Sequence, residues 1–547
     1  MKPRILFCNE FSQLKTGYSV YGHEVLTRLH NSGKYDIFEH ACYAHRSDTR
    51  INNVPWVVYS NLPDENDQEQ LNRYNSSSHN QFGEWRFEEI CIDCRPHIVC
   101  DIRDFWMMSH EFRSPLRPNF YHIIMPTVDA YPQNEEWLSS YIGADGVFTY
   151  QDWSKNLLDM ESAGKAKTLG AASPAADIAF QPMDRLAIKK SVGLSDYQII
   201  GTVMRNQRRK LFPDLFGAFR VFLDTTKRTD VLLYCHTSYP DMGWDIPKLL
   251  LQYGIASKVL FTYVCKECGH VHPNFFNDAV VFCPRCKHIA AGMANVQTGV
   301  DNRVLAAIMN MFDVYVQWAN SEGFGMPVIE AAACGTPVIC VDYSAMSDTV
   351  RKVNGVPITP IALSMELETG CFRAIPNNDK LIDHLELFFQ RMTEDTRQEL
   401  RRKTRQKYLE NYSWDATAAK WAASFDSMDI NRSEQLWHQP PRITPIPNDY
   451  PKQTSNAQFA RWLITAVLGE PQYIDSYMES RLIRDLNYEV SSIGTSGMYF
   501  NEHSAMFSRP QWQPFNKEIA FKHFCELGKR KNMWEQARWQ KIQSLKK

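Results

Sequence analysis

Residues 321 to 340 read Ser-Glu-Gly-Phe-Gly-Met-Pro-Val-Ile-Glu-Ala-Ala-Ala-Cys-Gly-Thr-Pro-Val-Ile-Cys, so two carboxylates, Glu322 and Glu330, flank a glycine turn that opens a helix. Gly323 and Gly325 let backbone N–H groups approach a ligand closely, and the positive end of the helix that follows favours phosphate. Either feature alone fits a buried helix capped by a glycine turn. Together they fit a ligand that carries both phosphate and hydroxyl groups. A second run, Met204-Arg-Asn-Gln-Arg-Arg-Lys-Leu-Phe-Pro213, offers fixed cations. Arg205 and Lys210 are the candidates, with Arg208 or Arg209 able to substitute in register. Fixed cations in such a turn could meet an anionic ligand. The bland alternative is a solvated basic loop before a helix. A third stretch, Ser12-Gln-Leu-Lys-Thr-Gly-Tyr-Ser19, places Gly17 in the turn after the first strand.

A separate constellation points to metal. Cys265-Lys-Glu-Cys268 and Cys283-Pro-Arg-Cys286 are two Cys-x-x-Cys knuckles separated by fourteen residues. That spacing predicts a structural zinc ribbon with four thiolate ligands and no open position for catalysis. His270 and His272 read as loop residues, and Cys91 and Cys94 as ordinary thiols, because no second knuckle lies near them.

The whole chain bounds what can position these groups. At 547 residues it exceeds one core and suggests roughly three or four units. A net charge of −2 gives no global pull toward nucleic acid or membrane, so such a partner would need a local patch. No apolar run approaches the ~18 residues of a membrane span. The opening Met-Lys-Pro-Arg leads into a strand rather than a signal peptide, and the remaining cysteines are scattered, so a cytoplasmic setting is expected.

Strand and helix patterns alternate twice. The first set comprises 4–9, 37–43, 56–59, 97–102, 121–128 and 146–150, with a helical pattern after Gly17. An alanine- and proline-containing stretch, 169–182, reads as a hinge. The second set comprises 199–204, 231–235, 259–264, 314–318, 337–341 and 355–358. Alternation of this kind predicts α/β architecture with parallel sheets covered on both faces, and ligands of such sheets lie beyond the carboxyl ends of the strands. The expected organisation is an N-terminal domain over 1–180 and a second domain over 181–430, with the ribbon inserted at 264–290. A linker with five prolines (439–451) and a mainly helical extension complete 431–547.

The run Glu-Gly-Phe-Gly-x-Pro-x-x-Glu-Ala-x-Ala-x-Gly-x-Pro-Val resembles the signature of glycosyltransferase family 4, retaining enzymes of the GT-B fold with two facing Rossmann-like domains. The resemblance covers roughly residues 1–430. It implies a nucleotide-diphosphate sugar as donor, with Glu322 orienting the sugar, Glu330 holding ribose, and the Gly17, Gly323, Phe324 and Gly325 region lining the donor. It also implies that Arg205 and Lys210 grip the diphosphate, and that Tyr412 to Asp426 forms a closing helix back to the first domain, anchored by Trp414. The ribbon would stand beside the nucleotide base. Retention is described in this family as same-face attack with a donor phosphate oxygen taking the acceptor's proton. Many members carry histidine where this chain has Asp129, which would orient a sugar hydroxyl or the acceptor nucleophile, and Asp101, Arg103 and Asp104 would either line the acceptor side or form a surface salt bridge.

The expected function is therefore hexosyl or pentosyl transfer to a hydroxyl on a glycan or on a hydroxymethylated base in DNA. The competing class is a nucleic-acid-binding or scaffolding protein with a vestigial cleft. The basic segment 528–547, with Trp534 and Trp539 among its lysines and arginines, fits either phosphate contacts or an amphipathic helix docked on the protein itself.

Overall fold

A computed structural model describes residues 1–295, 299–455, 458–459, 462–469 and 517–545. Its first domain is built on β1 (Arg4–Glu10), β2 (Asp36–Cys42), β3 (Val57–Ser60), β4 (Ile98–Asp101), β5 (Tyr121–Ile124), β6 (Gly146–Thr149) and β7 (Thr168–Ala171). These pair in the parallel order β3-β2-β1-β4-β5-β6-β7. Central strands are continuous apolar runs because helices cover both faces; Ile5, Leu6 and Phe7 are all fully buried. The order reverses at β1 and β4, and the crevice beyond that switch point holds the turn at Gly17.

The second domain repeats the plan with β8 (Gln198–Val203), β9 (Val231–His236), β10 (Val259–Cys265), β14 (Val314–Gln317), β15 (Val338–Val341) and β16 (Val356–Ile358). Its switch point lies between β8 and β14. Three short antiparallel strands, β11 (Val271–Phe275), β12 (Val281–Phe282) and β13 (Ile289–Met293), extend the sheet beyond β10. The four cysteines stand on this extension, so β10 runs without a break from the domain core into the first knuckle.

Three expectations need correction. Leu169 to Ala171 are not hinge: they form β7, because Val147 to Thr149 present a free parallel edge to them. The strand expected over 121–128 ends at Ile124, and the chain then turns away toward the cleft. Asp101 and Arg103 do not make a surface pair or line the acceptor side. Both are fully buried, with the Arg103 guanidinium gripping the Asp101 carboxylate below β1 and β4.

A feature with no sequence forecast is the two-stranded hairpin of β17 (Ala362–Met365) and β18 (Phe372–Ile375). Its outer strand is exposed throughout, so it lacks the apolar run by which the other strands were read.

The closing helix spans Trp414–Asp426 and packs on the helix Gly17–Asn31. Trp414 meets Tyr21 edge-on at 5.4 Å. The deeper anchor is Trp421, fully buried, with ring centroids 4.6 Å from Phe148 and 5.8 Å from Phe7 and its indole N–H donated to the Tyr21 hydroxyl at 2.9 Å. Trp421→Ala is expected to cost about 3–5 kcal/mol, read as a lowered denaturant midpoint, because a cavity replaces the ring while the Tyr21 hydroxyl keeps its bond to the Ala172 carbonyl.

The extension is helical where described. Helix Lys517–Ser544 lies against the first domain, with Trp534 packed toward Phe87 and Trp437. Glu535 is buried between Arg442 and Arg538, and Arg538 also donates to the Trp437 carbonyl at 2.6 Å. Several cations of the basic segment meet acids, Lys541 at Asp93 (3.0 Å) and Lys529 at Glu526 (2.6 Å). This is the docked-helix alternative; Lys546 and Lys547 lie outside the described residues. No described helix is long and apolar enough to cross a membrane.

Candidate functional site

A cavity of about 740 Å³ opens where the carboxyl ends of the two sheets face each other. The first domain contributes Gly17 and Tyr18 at the start of the helix Gly17–Asn31, whose N-cap, Thr16, accepts from the Ser19 N–H at 3.2 Å. The second domain contributes Arg205, Lys210 and the turn Glu322–Gly325. Gly325 has φ +84° and begins the helix Met326–Ala333, a backbone conformation that glycine adopts without a Cβ penalty. Gly323 is glycine for a different reason. A Cβ there would lie 2.4 Å from the Thr127 methyl, so the first domain leans directly on the turn.

Glu322 is the electrostatic centre of this wall. Its carboxylate accepts from Arg209 at 2.6 Å, from Gln317 at 2.5 Å and from the Lys210 ammonium. Its own N–H is donated to Ser344 at 2.9 Å. Burial would raise the Glu322 carboxyl, but Arg209 and Lys210 outweigh it and hold it down at about 2. For Lys210 the balance is opposite: burial lowers it to about 8 against the pull of Glu322. The loop that carries Lys210 is fixed by backbone pairing with Ala319 and by the Trp244 indole, which donates to the Lys210 carbonyl at 2.7 Å.

Arg205 faces the cavity with its guanidinium half exposed and aligned by Asp241, at 3.0 and 3.1 Å. Asp241 in turn is held by the Ser238 hydroxyl. Phe324 is buried, 6.2 Å from Tyr150 of the first domain.

Two expected site residues stand back from the cavity wall. Glu330, on the helix Met326–Ala333, is not among the lining residues; burial and then Asp177 raise its carboxyl to about 8. Asp129 is likewise absent from the lining, with its carboxylate 3.0 Å from Arg373 and 3.3 Å from the Ser321 hydroxyl. Nearer the cavity, the Tyr18 hydroxyl donates to Asp104 at 2.9 Å and meets Thr127 at 2.8 Å.

Sequence reasoning did not single out Tyr18, Thr127, His236 and Thr237, all of which line the cavity. His236 ends β9 and is lowered to about 4 by burial, so it is neutral at pH 7, with Nδ1 2.8 Å from the Thr262 hydroxyl. The Thr237 hydroxyl is buried and has no protein partner. The one available signal was their place after a strand of a doubly wound sheet.

The four cysteine sulfurs all lie within 4.8 Å of one another, with Cys265 to Cys286 at 3.6 Å and Cys268 to Cys283 at 3.7 Å. A disulfide needs a separation near ~2.05 Å. A tetrahedron with metal–sulfur bonds of about 2.3 Å has edges of ~3.8 Å, so the donor set fits a bound zinc ion. Gly269, at φ +67°, turns the chain after the first knuckle.

Two doubly wound domains facing each other across one cleft define the GT-B fold. Solved structures with this fold include sucrose-phosphate synthase from Thermosynechococcus elongatus, at TM-score 0.57 and 15% identity over 78% of this chain and 98% of that one. HepE of Anabaena in complex with UDP and glucose aligns at TM-score 0.54 and 12% identity, covering 78% and 100%. Residues 289–407 match the family described as Glycosyl transferases group 1. In sequence, the chain is similar to a D-inositol 3-phosphate glycosyltransferase of Rhodococcus erythropolis, 25% identical over 281 residues, which is 51% of this chain. The match spans about half of that relative's length, 53%.

Proposed function

We propose that the protein is a retaining glycosyltransferase of family 4 that moves a hexosyl or pentosyl group from a nucleotide-diphosphate sugar to an acceptor hydroxyl. The observation that carries this reading is the grip of Lys210 and Arg209 on a buried, ionised Glu322, in a cavity whose opposite wall is the helix start at Gly17. Arg205 and Lys210 are assigned to the diphosphate, where they stabilise the leaving oxygens without a metal ion. The backbone at Gly17 and at 323–325 approaches the phosphates, and Glu322 accepts from sugar hydroxyls. Glu330 is assigned to ribose, and Asp129 to orientation of the acceptor side. Proton transfer goes from the acceptor hydroxyl to a donor phosphate oxygen as the new glycosidic bond forms on the face the diphosphate leaves.

A uridine diphosphate sugar is the first donor to test, since HepE is described with UDP and glucose. The ribbon holds a structural zinc ion through Cys265, Cys268, Cys283 and Cys286, whose four sulfurs leave no position for substrate. The other ten cysteines form no disulfide, which supports a reducing, cytoplasmic setting. The acceptor is a glycan or a hydroxymethylated base in DNA. Against the vestigial-cleft alternative stand the complete cation–carboxylate cluster and the engagement of the basic C-terminal helix with its own first domain.

The test is a thermal-shift panel of UDP-, GDP- and ADP-sugars, followed by nucleoside diphosphate release on adding glycan or hydroxymethylated duplex. One donor at a hundredfold its Kd should add about 2.7 kcal/mol of stability. No shift with any donor and no release with any acceptor would reject the reading.

A further inference from the structure

Arg373 joins three parts of the molecule. It sits on β18, and its guanidinium reaches Glu366 in the turn of its own hairpin at 2.8 Å, the Ser321 hydroxyl at 2.8 Å and the Asp129 carboxylate of the first domain at 3.0 Å. Ser321 is fully buried and immediately precedes Glu322, and its carbonyl accepts from Arg209 at 3.1 Å, the same arginine that holds Glu322. A fork of fixed N–H donors suits such simultaneous contacts, which a lysine could not reproduce.

The hairpin adds backbone contacts across the same gap. The Phe372 N–H is donated to the Tyr131 carbonyl at 2.7 Å, and the Cys371 thiol to the Pro132 carbonyl at 3.1 Å. Tyr131 inserts its ring between Phe372 and Tyr343, at 5.6 and 6.0 Å. On its own side the hairpin is tied to the Glu322 loop, with the Ala374 N–H donated to the Asn320 carbonyl at 3.0 Å. Opening the cleft must therefore break the Arg373–Asp129 pair and release one support of the Ser321–Glu322 segment in the same movement.

We propose that Arg373 is a positioning residue for the transfer reaction, acting through Asp129 and Ser321 to align Glu322 when the two domains close. The proposal rests on the functional reading of Glu322 given above. The hairpin of β17 and β18 serves as a clasp, and Asp129 works as its receptor on the first domain rather than as a free base. Closure then completes the sugar-binding wall instead of merely excluding water.

The experiment compares Arg373→Ala, Arg373→Lys and Glu368→Gln in the full chain by amide hydrogen exchange and steady-state transfer. In Arg373→Ala, exchange of the Phe372 amide should quicken at least tenfold and kcat should fall at least tenfold, with donor KM changed less. Arg373→Lys should restore part of the amide protection and little of kcat, and Glu368→Gln, at an exposed position of the hairpin turn, should stay within about twofold of the parent in both. Unchanged Phe372 protection in Arg373→Ala overturns the clasp; faster exchange with full kcat overturns the positioning role. Exchange is read without substrate, so a failed clasp is seen independently. A parent chain that transfers no sugar removes the functional reading, and this assignment falls with it.

Discussion

Lys210→Met is expected to lower kcat for the proposed sugar transfer by about 10²–10³-fold while the protein stays folded, because a fixed cation aimed at the leaving diphosphate would be lost from a site shielded from water. The remaining Arg209 still pairs with Glu322, so the carboxylate is not left alone. Glu322→Gln should fall by a similar factor, and the double variant by less than the product, since both act on one cluster. The pH profile adds a sign. Lys210 is lowered by burial to about 8, so the ammonium is present below that pH and lost above it. In the free enzyme kcat/KM should hold level up to about pH 8 and then descend, and Lys210→Arg should shift the descending limb to higher pH. Full activity in Lys210→Met, measured alongside an unchanged melting temperature, would remove Lys210 from the chemistry.

Zinc removal should have the other large effect. Metal analysis is expected to give one zinc per chain, and Cys268→Ser or a strong chelator to abolish it. Structural zinc of this type contributes about 10–16 kcal/mol of apparent binding free energy to local folding. Loss should therefore unfold β11 to β13 as a unit, seen as rapid amide exchange over 266–293. The damage should also reach the donor. β13 pairs with β10 through Tyr263–Met293, Val264–Gly292 and Cys265–Ala291, and the chain leaving β13 supplies Ala294 and Asn295 to the cavity wall. Donor affinity should drop at least tenfold while the first domain melts as before. Retention of stoichiometric zinc by Cys268→Ser would show that the four sulfurs are not its ligands.

Much of this was legible from residues 1 to 430. Parallel strands buried on both faces appear as short apolar runs, so Arg4 to Glu10 and Val338 to Val341 could be read locally. The glycine turn at 323–325 announced itself through spacing, and the cysteine knuckles through arithmetic. The hairpin of β17 and β18 left no such trace, because an exposed strand is not selected for apolar content. The partners of Glu322 were only half visible: register favoured Arg205 and Lys210, whereas the structure brings Arg209 to Glu322 and turns Arg205 toward Asp241. Glu330 matched a motif and Asp129 stood where many relatives carry histidine, but position in a pattern does not report which way a carboxyl group faces. Trp421 could not be ranked above Trp414 because its partners, Phe7 and Phe148, lie far away in sequence.

The second domain is spliced into the first. The chain leaves after β7, and the closing helix brings it back, with the Ala176 N–H donated to the Tyr408 hydroxyl at 3.1 Å where the two crossings meet. Trp421, bonded to a tyrosine 400 positions earlier, completes a core whose other members were made first. During synthesis the bed for Trp421 therefore stays open until the whole of the second domain and the ribbon have been made. A chain interrupted before Trp421 would therefore lack the ring that closes the core of the domain made first.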